Sequence, residues 1–114
     1  MKNVRMVGVS ACVPKQVVKT EDFDLFTKEE AEVFNNTVGI QSRHLAPENI
    51  CASDMCQAAA LRLMDELGGE PRSIDVLIFE SVTGDFRTPP TSCLLQDRLK
   101  LSENCFCMDI PMGC

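Results

Sequence analysis

The sequence predicts an α/β fold with a mostly parallel sheet and helices on both faces, and three observations predict it. The apolar runs Asp75–Phe79 and Cys105–Ile110 lack the polar alternation of a half-exposed strand, the pattern of parallel strands covered on both sides. Helical periodicity precedes each of them. Turn residues mark each change of pattern, and the order that results is β, α, α, β, α, β.

The elements follow in chain order. Arg5–Val13 is an apolar, β-rich run that stops at Pro14, as a buried strand ending in a turn would. Thr20 is placed to cap a short helix over Glu21–Phe26. Thr27 and Glu30 form a capping-box pattern for a helix reaching about Phe34, which Asn35, Asn36 and Gly39 then break. Ser53 is the next expected N-cap, with Asp54 in the first turn to complement the helix dipole.

The helix over Asp54–Leu67 is the plainest element. Cys56, Ala60, Met64 and Leu67 recur at helical spacing, Arg62, Asp65 and Glu66 lie opposite, and Gly68, Gly69 and Pro71 supply the stop. A loop rich in Gly, Thr and Pro, from Thr83 to Pro90, joins the Asp75–Phe79 strand to a helix over Thr91–Lys100. No repeat or linker interrupts the chain, so residues 1–114 read as one unit. Three short helices do not cover a parallel sheet on both faces, and the unit reads as incomplete.

Composition narrows the function. With 114 residues, 45% hydrophobic and 25% charged, the chain belongs among folded domains. It has no apolar run of about 18 residues to span a membrane and no secretory leader pattern, so the cytoplasm is the expected compartment. The net charge of −6 argues against nucleic acid or an anionic membrane as partner. Asp22, Asp24, Glu29, Glu30 and Glu32 read as the solvated faces of helices.

Seven cysteines in a chain without an export signal read as thiols. None forms a CxxC pair, and His44 is the single histidine, so no metal is expected. Most of the cysteines sit in apolar runs and read as small core residues. Cys114 differs. It follows Pro111-Met-Gly113 just past a strand's carboxyl end, where open α/β sheets place their sites. A helix starting directly after it would favour the thiolate.

Six segments carry a resemblance. They are Gly8–Val17, Val38–Ala46, Ala52–Leu67, Ile74–Thr83, Pro89–Gln96 and Phe106–Ile110, in that order and ending on Gly113-Cys114. Together the chain resembles the N-terminal part of a 3-oxoacyl-[acyl-carrier-protein] synthase III, a ketosynthase of the layered thiolase fold. The resemblance implies that Cys114 is the catalytic nucleophile, taking an acyl group from a thioester. Malonyl on a carrier protein then loses CO₂, and the carbanion attacks the acyl-cysteine to give a 3-oxoacyl product, in fatty acid or related acyl-chain biosynthesis. It also implies a catalytic histidine and asparagine beyond residue 114, a homodimer, and an acyl-carrier protein as partner. No resident cofactor is implied; coenzyme A or carrier-protein phosphopantetheine is the substrate's carrier. His44 falls in a segment of structural role.

Two substrate-binding regions depart from the family pattern. Val33 and Thr37 stand where familiar members hold an aromatic residue and an arginine against the adenine of coenzyme A, and neither stacks on a purine or meets a phosphate. Thr88 stands where a phenylalanine reaches the partner subunit's acyl pocket, with Phe86 two residues away. These departures point to a donor other than acetyl-coenzyme A. The rival expectations are a non-catalytic fragment or assembly subunit, and a related condensing enzyme using a different acyl donor.

Overall fold

The computed structural model describes residues 3–113, and Cys114 lies outside the described residues. The chain divides into two compact units, Val13–Asn49 on one side and the flanking segments, through Cys12 and from Ile50, on the other.

In the Val13–Asn49 unit, strands β1 (Gln16–Lys19) and β2 (Ser42–Leu45) pair antiparallel, with Val17 opposite His44. Between them runs helix α1 (Lys28–Val38). Its capping box is as expected: the Glu30 N–H donates to Thr27 Oγ1 at 3.2 Å, and the Thr27 N–H donates to Glu30 Oε2 at 2.9 Å. The helix continues through Asn35 and Asn36 and ends at Gly39, whose φ of 79° suits a residue without a side chain. Asparagine lowers helix propensity only weakly, so the cap and the glycine set the limits.

The helix expected over Glu21–Phe26 is a single 3₁₀ turn, Thr20–Asp22. The Thr20 hydroxyl donates instead to the Ile40 carbonyl at 2.7 Å, and the residue is fully buried. His44 Nδ1 lies 2.6 Å from the Pro14 carbonyl oxygen. A carbonyl only accepts, so that nitrogen carries the proton and the ring ties the Pro14 turn to β2.

In the other unit, helix α2 (Ala52–Leu67) precedes strand β3 (Val76–Glu80), helix α3 (Thr91–Arg98) and strand β4 (Phe106–Ile110). The two strands pair parallel, Leu77 beside Cys107 and Phe79 beside Asp109. Leu77 and Phe79 face α3, and Phe79 joins Leu95, Leu99, Leu101 and Cys105 in the buried core. Ala52, Ala60 and Met64 pack against it from α2. Among the described residues the opposite face, Val76, Ile78, Phe106 and Met108, is exposed. The unalternating sequence of these strands predicts burial on both sides; both helices that pack on the sheet do so from the Phe79 side.

Arg5–Val13 forms no strand. A strand needs a neighbour for its N–H and C=O groups, and none of the described strands offers one there. The segment lies along α2 instead: a Cβ on Gly8 would stand 2.8 Å from Leu63 Cδ1. Among the described residues no helix is long and apolar enough to cross a membrane.

Candidate functional site

Parallel pairing puts the carboxyl ends of β3 and β4 on one edge, and both chains stay close beyond it. The Ser81 N–H donates to the Ile110 carbonyl at 3.3 Å, and the Met112 N–H folds back onto the same oxygen at 2.9 Å. Gly113 then passes so near Val82 that a Cβ there would stand 2.8 Å from Val82 Cγ1. The backbone immediately before Cys114 therefore lies so close to the Val82 side chain that any larger residue at 113 would force it to shift.

That loop carries Phe86, 60% exposed, and Thr88, also exposed. Between β3 and this tip, Asp85 is held on both sides. Its carboxylate accepts the Ser53 N–H at 3.3 Å and a short hydrogen bond from the Ser53 hydroxyl. Its own N–H donates to Thr91 Oγ1 at 3.2 Å. Arg98 Nη1 donates to Ser53 Oγ and to Asp54 Oδ1, each at 2.9 Å. Ser53 therefore does not cap α2. The N-cap is Cys51, whose N–H donates to Asp54 Oδ2 at 2.8 Å, and Ser53 sits fully buried as the second residue of the helix.

Helix α3 starts at Pro90, which has no side-chain acceptor to offer its first N–H groups. Asp109 supplies it from β4, accepting from Thr91 N at 2.7 Å and Ser92 N at 2.8 Å. Burial alone would raise the Asp109 carboxyl; hydrogen bonds from Ser92 and Thr91 outweigh it and hold the group below the ordinary carboxylate range.

The thiols correct the expectation of small core residues. Cys12, Cys51, Cys56 and Cys93 are exposed, Cys105 is buried and Cys107 partly so. Apolar neighbours in sequence do not bury a residue whose side of the helix or chain no other element covers. Partial desolvation by its neighbours raises the Cys56 thiol, with Asp85 and Cys12 adding to it. Cys107 is pushed up to about 11, first by burial and then by Cys105.

Val33 and Thr37 lie one turn apart on α1, both exposed, so they share a face. Phe86 and Thr88 share the 83–90 loop in the other unit. Neither Asp85 nor Asp109 was expected at the site, and Ser53 was expected there only as a helix cap. Asp109 alone left a signal: it is the one charge inside an otherwise apolar strand, where a carboxylate calls for a partner.

No protein-family model matches the chain. Among curated proteins it is 30% identical over its whole length to the beta-ketoacyl-[acyl-carrier-protein] synthase III of Thioalkalivibrio sulfidiphilus, of which it covers 35%. It is 32% identical, again over its whole length, to that of Clostridium perfringens, also covering 35%. Over its whole length the chain is therefore similar to the N-terminal third of beta-ketoacyl-[acyl-carrier-protein] synthase III proteins.

The structural match agrees. The 3-oxoacyl-(acyl-carrier protein) synthase of Burkholderia xenovorans superposes with a TM-score of 0.83 at 33% identity, over 93% of this chain and 32% of that one. The synthase III of Aquifex aeolicus gives 0.77 at 28%, over 91% and 33%. The thiolase-like fold expected from the resemblance is the fold of this segment. The chain spans about a third of the length of these synthase III relatives.

Proposed function

We propose that the protein is a synthase III-type acyltransferase in which Cys114 accepts the acyl group. The thiolate attacks the carbonyl of an acyl thioester and expels the donor thiol, leaving an acyl-cysteine. Malonyl on an acyl-carrier protein then loses CO₂, and the carbanion so formed attacks the acyl-cysteine. The cysteine leaves as thiolate and a 3-oxoacyl-carrier protein is released.

The observation that carries this reading is the passage of Gly113 against Val82 at the carboxyl edge of β3 and β4, directly before the cysteine. Open α/β sheets place their ligands at such an edge. The synthase III relatives support it from sequence. The raised pKa values of Cys56 and Cys107 make these two thiols weaker competitors, because the thiolate is the reactive form.

Phe86 and Thr88 are the residues of this chain that would meet the acyl group, and Val33 and Thr37 those that would meet the nucleotide of coenzyme A. Neither Val33 nor Thr37 can hold adenine or phosphate, which favours an acyl-carrier protein as donor. A homodimer in the cytoplasm, without resident cofactor, completes the reading.

Incubating the purified protein with acyl-carrier protein or acyl-coenzyme A bearing a labelled acyl group, followed by peptide mass mapping, tests it. Label on Cys114, lost in Cys114→Ala, is the expected result. Label on Cys56 or Cys93 overturns the assignment of the nucleophile. No covalent label with either donor leaves the non-catalytic reading in its place.

A further inference from the structure

Asp85 is the point where the acyl-site loop is tied to the rest of its unit. Its carboxylate takes two hydrogen bonds from Ser53 on α2, and its N–H reaches Thr91 at the start of α3. Ser53 is itself fixed. It is fully buried, and Arg98 holds its hydroxyl at 2.9 Å while binding Asp54 at the same distance. Thr91 is likewise fully buried, and Asp109 holds its N–H. Both partners of Asp85 are therefore buried and held by further hydrogen bonds, and each belongs to a helix packed on the core.

The next three residues have no such ties. Phe86, Arg87 and Thr88 are exposed, and among the described residues none has a side-chain hydrogen bond before the chain re-enters the fold at Thr91. A short exposed tip takes its direction from the anchors on either side of it. Gly84 adds a constraint on the near side, since a Cβ there would stand 3.2 Å from Thr91 Oγ1. Shifting Asp85 moves Phe86 directly; the strand pair and the Gly113 approach rest on contacts of their own.

We propose that Asp85 is a positioning residue that fixes the Phe86–Thr88 tip through Ser53 and Thr91 and so sets which acyl groups the enzyme accepts. The inference rests on the proposed function, in which that tip lines the acyl site. Asp85 itself touches no substrate; it acts through the residues that follow it.

The test compares the parent protein with Asp85→Asn and Ser53→Ala, using acetyl-, butyryl- and octanoyl-coenzyme A as donors. Ser53→Ala keeps a good helix former in α2, and so decides the matter if Asp85→Asn fails to fold. Losing one such hydrogen bond corresponds to about a five- to tenfold effect. The octanoyl-to-acetyl ratio of kcat/KM is expected to change about fivefold or more in both variants, through KM, while acetyl kcat is retained. A merely structural role lowers kcat for all three donors together and leaves the ratio where it was; that result, or no change at all, overturns the inference. A parent protein that takes no acyl group on Cys114 overturns the proposed function and the inference with it. A normally acylated parent with unshifted variants overturns the inference alone.

Discussion

The Asp109 carboxylate accepts the backbone N–H of Thr91 at 2.7 Å, so a strand residue caps a helix that begins eighteen positions earlier. It accepts the Ser92 N–H as well, and β4 and α3 are thereby joined by a pair of charge-assisted hydrogen bonds as well as by packing.

Replacing Asp109 with alanine leaves both N–H groups without an acceptor. By analogy with losing an N-cap side chain, the loss is expected to be about 1–2 kcal/mol of unfolding free energy. Because the folded carboxyl titrates below its unfolded value of about 3.9, its contribution is complete above that pH and fades as pH falls through the lowered value. Urea midpoints of the parent and of Asp109→Ala should differ at pH 7 and converge as the pH drops below about 4. A gap that persists unchanged at pH 2 contradicts the assignment.

Thiol chemistry offers a second expectation. With its pKa near 11, Cys107 at pH 8 holds roughly a hundredfold less thiolate than an ordinary cysteine. Cys56 is exposed yet also shifted upward. Timed alkylation with iodoacetamide and peptide mapping should find Cys107 slowest by about that factor and Cys56 slower than its exposure suggests. Rapid modification of Cys107 in the folded protein would contradict the shift.

The proposed donor preference can be tested by rebuilding the missing charge. Thr37 is exposed on α1, one turn after Val33, so an arginine there is free to reach a phosphate. A charge-assisted hydrogen bond contributes about 1.5–3 kcal/mol. Thr37→Arg should therefore lower the KM for acetyl-coenzyme A on the order of tenfold or more and leave that for acyl-carrier protein unchanged. Efficient use of acetyl-coenzyme A at micromolar concentration by the parent would show that these two positions do not govern the donor.

Gly113 is the fourth. A methyl group there collides with Val82, and overpacking of this kind costs about 1–3 kcal/mol unless the neighbour gives way. Gly113→Ala is expected to slow acylation of Cys114 about tenfold, and Val82→Ala in the same chain to restore most of it. Slowing that the second change does not relieve would place the fault elsewhere than in this contact.

What the sequence showed and what it hid follow from how far each element depends on distant residues. The capping box of α1 is written within four positions, and the stripe of α2 within sixteen, so both were legible. Strands β3 and β4 were legible as apolar runs, though one of their faces is open among the described residues. Arg5–Val13 has strand composition and no strand partner, and composition cannot supply one. The β1–β2 pair was hidden because each strand is four residues long and α1 separates them. Ser53 looked like a cap because a serine before an acidic residue usually is one; its bonding partner, Asp85, lies 32 positions away. Val33, Thr37, Phe86 and Thr88 were named from resemblance, and the hydrogen bonds that hold the 83–90 loop could not be.

The three helices differ in where their first turn finds its acceptor. Helix α1 carries its own in Thr27 and Glu30, and α2 has Asp54 within its first turn. Helix α3 has none of its own and borrows Asp109 from β4. On a growing polypeptide the acceptors become available in order. Those of the first two helices are synthesised within the helices' own first turns. That of the third arrives only with β4, eighteen residues after Thr91. The far anchor of the loop bearing Phe86 and Thr88 is thus completed by the same strand that leads to Cys114.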